Sequence, residues 1–501
     1  MQSAQRSQPC GLIYMNIGAR MDTSNKYKNY NLALDLVEDG SDIEVEDIKK
    51  HHLPPNITSK MLYTDIVKIA WPSVLELTLT QLASMVDLMM VGGLGAWALT
   101  SVGLTVQPKF LLMTIFMAMN VGATAMVARY KGAGEQEKAN LILRQALMLT
   151  LIFSVISSII GYVYAEKLIL FMGAAEEKTL EGGTIYLKIQ MVGFTFMALT
   201  STVTATLRGV GNSRTALIYN VTSNIVNVIL NYLLIEGHFG FPRLEVAGAS
   251  LATIIGQFVA FVFALIYIMK GDQYLHLDFK EGFKPEPHSL KQIITIGAPA
   301  MLEQLLMRVG VIIYVKTIAG LGTVAYAVHQ ICMNIQAMSF MNGQGFAVSA
   351  TSLTGQSLGK NRPDMAHAYV HRTRQLGMSV SIILGIIFIF WGGNIVSLYN
   401  DSPDIVLQGA RIMMFVGFTQ PLQSSQFILS GSLRGAGDTR ATAIITFVTV
   451  LLIRPLLAIY LINVWSMGLE GAWFAFIVDQ TIRSALVLLR YNSGKWKSIK
   501  V

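Results

Sequence analysis

The sequence is short of charge, cysteine and proline. Only 14% of its 501 residues are Asp, Glu, Lys or Arg, against about 25% in soluble domains. There are 2 cysteines and 13 prolines. Cys10 stands in a polar stretch and Cys332 in an apolar one, so neither a disulfide framework nor a cysteine metal site follows. Signatures of chemistry are missing too. No metal-ligand spacing or nucleophile–base pair stands out, and GVG at 209–211 and GAG at 435–437 lack the Lys-Ser/Thr pair of a phosphate loop. The sequence therefore implies neither an enzyme nor a cofactor, and no bound metal. Residues 1–60 contain no apolar signal-peptide core.

What is present is apolar. Hydrophobic residues make up 53% of the chain, and the mean hydropathy is +0.51. Twelve apolar segments follow the polar tail, at 65–90, 97–130, 138–165, 183–207, 214–236, 245–270, 290–318, 323–356, 366–393, 405–433, 440–463 and 469–490. Each is long enough to cross a bilayer as a helix. The expected fold is an all-α polytopic membrane protein embedded in the lipid bilayer. Short Gly-rich connections at 92–95 and 319–322 predict tight turns between segments 1 and 2 and between segments 7 and 8. Residues 1–60 read as a disordered, acidic cytoplasmic tail, with seven acids and no base over 35–47. The net charge of +8 does not point to nucleic acid, because its distribution matters more. Lys and Arg crowd the loops on one side, from Arg129 and Lys131 through Arg208, Lys284 and Lys360 to Arg434 and Lys497. The opposite loops hold little beyond Lys167, Lys178 and Arg243. The positive-inside rule then puts both termini in the cytoplasm.

The halves repeat. LRGVGNSRT at 207–215 returns as LRGAGDTRA at 433–441. Pro72, Glu76 and Gly132 return as Pro299, Glu303 and Gly359, all three at one common shift that matches the first to within a single position. Six segments per half is an even number, so both halves insert the same way up. That is a parallel duplication about an axis along the membrane normal. It predicts two pseudo-symmetric six-helix bundles around a central cleft, with an N-lobe at 61–270, a cytoplasmic linker at 271–290, a C-lobe at 291–490 and a basic tail at 491–501. Arg208 and Arg434 mark the boundary at which each LRGxG helix ends, and read as topogenic.

The stretch from Trp71 to Gly95, the body of segment 1, carries two carboxylates where a bilayer favours none. Glu76 and Asp87 are eleven residues apart, a rotation of about 20° beyond three turns, so they share a face with Thr80, Ala83 and Ser84 nearby. Elsewhere, Asp479 and Arg483 at i, i+4 pair on segment 12, and Arg454-Pro455 marks a kink in segment 11. Arg308 is not on the face of Glu303. His329 packs in the core or, with Gln330, lines the second half. Lys109 and Lys316 snorkel to an interface.

SMVDLMMVGGLG at 84–95, VGATAMVARYKGAG at 121–134, the paired LRGxG stretches, EQLLMRVG at 303–310, AVHQI at 327–331 and TGQSLG at 354–359 together resemble the multidrug and toxic compound extrusion (MATE) family, in its bacterial form, over residues 61–490. The resemblance implies a monomeric, cell-membrane antiporter that exports amphipathic, often cationic organic compounds in exchange for protons or sodium ions. It places the coupling carboxylate on Asp87. Some members carry a second Asp on helix 5, four residues after an Asn; here that spacing gives Asn227 and Asn231, so the second carboxylate is lost. Asn220, Asn224, Asn227 and Asn231 step by four, three and four and form one stripe, suited to bonding Asp87 and to ligating a small cation. The same stripe serves equally as glue between membrane helices. Thr195, Thr200, Ser201 and Thr204 are the expected neighbours on segment 4.

At the shift that relates Glu76 to Glu303, Asp87 falls on Tyr314, so the second half lacks its carboxylate. Many family members carry an acid on helix 7 that meets a cationic substrate, a turn or so further along than Glu303, the repeat of Glu76; the resemblance thus offers Glu303 for that place, with Glu76, Thr80, Tyr314, Gln420 and Gln423 in substrate or supporting roles. The family's sodium-type Asp on helix 10 is absent, which favours protons over sodium. Two rival readings stand beside export: a flippase of lipid-linked sugars on the same broader fold, and a membrane scaffold that transports nothing.

Overall fold

The computed structural model describes residues 57–174, 176–271, 273–278 and 282–499. The acidic stretch at 35–47 lies outside them. Each of the twelve apolar segments is a long helix: α1 Ser59–Gly92, α2 Ala96–Ala133, α3 Gln136–Val163, α4 Glu177–Gly209, α5 Ser213–Leu234, α6 Glu245–Met269, α7 Pro287–Ala319, α8 Thr323–Gly359, α9 Pro363–Ser397, α10 Pro403–Gly435, α11 Thr439–Asn463 and α12 Gly468–Asn492. A short helix, Ala165–Phe171, lies between α3 and α4. The tight turns fall where the sequence places them. Gly95 and Gly322 have φ of 111° and 106°, a backbone that an L side chain resists. Helices α7, α9 and α10 open on a proline in the first turn, where its missing N–H costs nothing.

Pro455 has a different consequence. It cannot donate to the preceding turn, and its ring crowds the carbonyl four residues back. Helix α11 accommodates this by widening into a π-helical stretch over Phe447–Ile453, immediately before Arg454. The expected irregularity is there, as a π-bulge.

Ten of the twelve helices are apolar enough to be recognised as spans by composition alone. The exceptions, α4 and α8, are rich in Thr, Ser, Gly and Gln. Helix α4 sits at the centre of its bundle, packed on α2, α3 and α6, while α8 packs on α9 and α10 of its own bundle and on α1 and α2 of the other. Their polar groups thus meet protein rather than lipid, as polar membrane residues must. Helices α1 and α7 are the outliers of their bundles. Within its own bundle α1 rests mainly on α5, and it crosses to α8; α7 rests on α11 and crosses to α2.

The bundles meet at one end, which carries the start of α1 and the LRGxG turns. Glycines allow the approach. A Cβ on Gly132 would stand 1.9 Å from the Gln356 carbonyl oxygen, and one on Gly359 would stand 1.9 Å from that of Arg129. The same end carries hydrogen bonds between bundles. Ser352 Oγ and Gln356 Nε2 both donate to the Gly209 carbonyl, at 2.9 and 3.0 Å. Tyr369 Oη donates to Asp65 at 2.7 Å, and Arg129 Nη1 donates to the Ile499 carbonyl at 2.8 Å. On the helices that flank the central cleft, Gln107, Gln330 and Asn334 remain exposed.

Candidate ion-coupling site

Helices α1 and α5 run parallel and read each other through polar side chains at one fixed offset. Asn220 Nδ2 donates to Glu76 Oε1 at 2.6 Å. Asn224 Nδ2 donates to Thr80 Oγ1 at 3.1 Å. Asn231 Nδ2 donates to Asp87 Oδ1 at 2.6 Å. All three pairs have the same separation in sequence. The asparagine stripe therefore matches the carboxylate face of α1 step for step. The offset puts Ala83 opposite Asn227, and Asn227 turns elsewhere. In the amide orientation that satisfies both its ends, Nδ2 donates to both Asp87 oxygens, at 2.8 and 3.0 Å, and the carbonyl accepts from Thr253 Oγ1 and N. Asp87 is thus held by charge-assisted bonds from two neutral amides, and its neighbour beyond them is Thr253 of α6.

Glu76, the middle one of the three acids of α1, forms an ion pair. Arg208 Nη2 lies 2.8 Å from Glu76 Oε1, with side-chain exposures of 20% and 5%. Arg208 therefore does more than mark the boundary expected of it. The second bundle repeats the pair: Arg434 Nη2 lies 2.5 Å from Glu303 Oε1, and Thr442 Oγ1 donates to Glu303 Oε2 at 2.9 Å. In both bundles the arginine closing the LRGxG helix reaches the acid four residues after the helix proline. Glu303 is only 2% exposed and is enclosed by these partners.

The remaining candidates lie inside the second bundle. Tyr314 is buried, and its hydroxyl donates to the Ala472 carbonyl at 2.9 Å. Gln420 accepts from Ser339, and Gln423 accepts from Gln336 Nε2 at 3.4 Å. These bonds brace α10 against α8. None of the three joins Glu303. On α4, Thr204 bonds Tyr219 at 2.6 Å and Ser201 accepts from Asn120 at 3.1 Å. Thr200 bonds back to its own helix.

Asp479 and Arg483 do pair on α12, and Arg454 of α11 joins them on the same carboxylate oxygen. His329 is packed, with its ring against Tyr314 and Trp473. The Arg308 guanidinium sits 4.1 Å from the centre of the Phe110 ring, a cation–π contact that links α7 to α2. Lys109 departs from expectation. It does not snorkel: its Nζ donates to Gln190 Oε1 inside the first bundle, at 2.8 Å. The two LRGxG arginines had a sequence signal, since each recurs at nearly the same interval after a repeated Glu. Gln190 carried no such signal.

A family model described as MatE matches residues 72–233 and again 299–460. The two matches begin at Pro72 and at its repeat, Pro299. The chain is 28% identical over 449 residues to the protein described as "Probable multidrug resistance protein NorM" of Thermotoga maritima, covering 89% of this chain and 96% of that one. It is 23% identical over 433 residues to the uncharacterized transporter YisQ of Bacillus subtilis, covering 86% and 94%. Among solved structures, an outward-facing multidrug resistance MATE family transporter superposes with a TM-score of 0.81 at 21% identity, covering 86% of this chain and 95% of that one.

Proposed function

The chain belongs to the MATE family, and from that premise we propose that this multidrug transporter is an antiporter that drives amphipathic, often cationic organic compounds out of the cell against an inward flow of cations. The observation that carries the proposal is the asymmetry of the two bundles. The first holds a carboxylate, Asp87, in a nest of two asparagine amides. The second has a buried tyrosine at the repeated position. One titratable group among neutral donors suits a site that binds and releases one cation per cycle.

The cycle we infer is a rocking of the two bundles about the cleft. A cation taken up at Asp87 from outside reorganises α1 against α2, α4, α5 and α6 and weakens binding of the compound, which leaves. The emptied carrier turns inward, releases its cation and reloads. The crowding of Lys and Arg at one set of loops supports cytoplasmic termini. In that orientation the end where the bundles touch faces the cytoplasm, and the cleft opens outward. The Glu76–Arg208 and Glu303–Arg434 pairs brace α1 and α7 within their own bundles, so that each bundle moves as a body.

The test is resistance in an efflux-deficient bacterial host. Expression should raise the tolerated concentration of organic cations such as ethidium several-fold, and Asp87→Asn should remove that protection while the protein remains in the membrane. Undiminished protection by Asp87→Asn would overturn the coupling role.

A further inference from the structure

The nest around Asp87 has a counterpart in the second bundle, built from different residues. The LRGxG turns repeat at an interval one residue shorter than the one that carries Glu76 to Glu303. The π-helical stretch Phe447–Ile453 of α11 restores that residue, because a π-bulge is an insertion into a helix. Beyond it the halves align again at the interval of the two glutamates, and Leu234 falls on Leu461. The contacts agree. Leu244 N donates to the Leu234 carbonyl at 2.9 Å, and Met467 N donates to that of Leu461 at 3.2 Å. A Cβ added to Gly248 would meet Leu234, and one added to Gly471 would meet Leu461. Leu244 and Gly248 thus fall on Met467 and Gly471, which aligns α6 with α12.

In this alignment Asp87, Asn227, Thr253 and Gly256 become Tyr314, Arg454, Phe476 and Asp479. In each set the second residue meets the other three. Asn227 joins Asp87 to Thr253, and a Cβ added to Gly256 would lie 3.2 Å from the Asn227 Cβ. The Arg454 guanidinium stands 5.6 Å from the centre of the Tyr314 ring and 4.8 Å from that of Phe476. Its Nε donates to Asp479 Oδ2 at 2.9 Å, and its Nη2 bonds the same oxygen. Where the first bundle sets a neutral amide beside a carboxylate, the second sets a guanidinium. The carboxylate itself stands on the other side, on α12 instead of α7.

We propose that Arg454 is a tethered cation: it fills, in the second bundle, the place that the first bundle fills by cation uptake, so the carrier exchanges one cation per cycle. The inference rests on the coupling role given to Asp87 above. The amides of Asn227 and Asn231 are neutral, so they hold the Asp87 carboxylate without cancelling its charge. A guanidinium is always charged and is part of the chain, so it neither leaves nor needs replacing. Around Asp479 positive charge is already in excess. Arg483 Nη2 lies 2.5 Å from the same carboxylate oxygen, and all three side chains are buried. Tyr314 of α7 and His329 of α8 are the titratable groups packed beside them, and the acid of α7, Glu303, is taken by Arg434. A proton or sodium ion on Asp479 would strip two buried guanidiniums of their counter-charge, which is strongly unfavourable. Cation binding therefore acts on the first bundle, and the second serves as the fixed half.

The experiment has two readouts on the full chain. In sodium-free detergent at mildly acid pH, dicyclohexylcarbodiimide marks protonated carboxyl groups in apolar surroundings, and peptide mass spectrometry locates the adducts. In liposomes, the protons and sodium ions moved per ethidium give the exchange ratio. The wild type should be marked at Asp87 and not at Asp479, with a ratio of one. The double variant Arg454→Asn with Arg483→Leu leaves Asp479 beside an asparagine, as Asp87 is. Its marking at Asp479 should rise several-fold, to the level of Asp87, and its ratio should rise toward two. A group that only packs α11 against α12 would leave the ratio at one. Marking of Asp479 in the wild type, a wild-type ratio of two, or a double variant that transports with Asp479 unmarked and the ratio still one overturns this inference alone. Where the double variant does not fold, the wild-type marking and ratio decide. An unmarked Asp87 together with no cation movement against ethidium overturns the antiport reading and the inference with it.

Discussion

Replacing Arg208 by Met tests the brace that the two bundles share. The Glu76 carboxylate is almost wholly enclosed, and its partners are Arg208 at 2.8 Å and Asn220 at 2.6 Å. Removing the guanidinium leaves a buried negative charge with one neutral donor. Breaking a buried ion pair costs about 3–5 kcal/mol. The 20% exposure of Arg208 and the surviving Asn220 bond place this case near the lower figure, about 3 kcal/mol. That corresponds to a fall in Tm of roughly 5 °C in detergent. The double variant Glu76→Gln with Arg208→Met removes both charges and should recover more than half of the loss, a coupling of about 2 kcal/mol. The assay is the melting temperature of the purified variants by intrinsic fluorescence. An Arg208→Met protein melting within about 1 °C of the wild type, or a double variant whose loss equals the sum of the two single losses, refutes the reasoning.

Two further outcomes follow from the same contacts. Glu303→Gln should lower the melting temperature and reduce export of cationic and neutral compounds alike, because Arg434 and Thr442 enclose the carboxylate; a loss confined to cationic compounds would restore the substrate contact expected of it from the sequence. Gly132→Ala adds a methyl where the Gln356 carbonyl oxygen stands 1.9 Å away, so it should wedge the bundles apart at their touching end. A cysteine placed at Ser352, buried in that contact, should then react with a polar maleimide at least several-fold faster than in the parent.

The fold was legible because a bilayer allows few solutions. Helix number, the tight turns at Gly95 and Gly322 and the parallel repeat all follow from apolar length and from spacing. The candidate site was legible along single helices. The asparagine stripe and the carboxylate face of α1 each show a helical period, and each predicts a face. What spacing alone cannot supply is the register between two helices. The shared offset that sets Asn220 on Glu76 and Asn231 on Asp87 depends on how α1 leans on α5. The same gap explains the reading of Arg208 and Arg434 as boundary markers. Their position at a helix end is visible in sequence, whereas their reach back to Glu76 and Glu303 depends on packing. Lys109 was misplaced for the opposite reason. A lysine in an apolar helix usually extends to an interface, and only its partner Gln190, on a different helix, holds it inside. The hydrogen bonds of Tyr314, Gln420 and Gln423, which brace the second bundle, join different helices and carry no spacing signal.

The central claim is that Asp87 couples cation entry to export. It is tested most directly by measuring proton movement and ethidium movement together in liposomes containing the wild type or Asp87→Asn. The account predicts that ethidium added to wild-type vesicles evokes counter-movement of protons, and that the Asn variant, folded and with the wild-type melting profile, shows neither exchange nor gradient-driven accumulation. Proton-coupled exchange persisting in Asp87→Asn would contradict it.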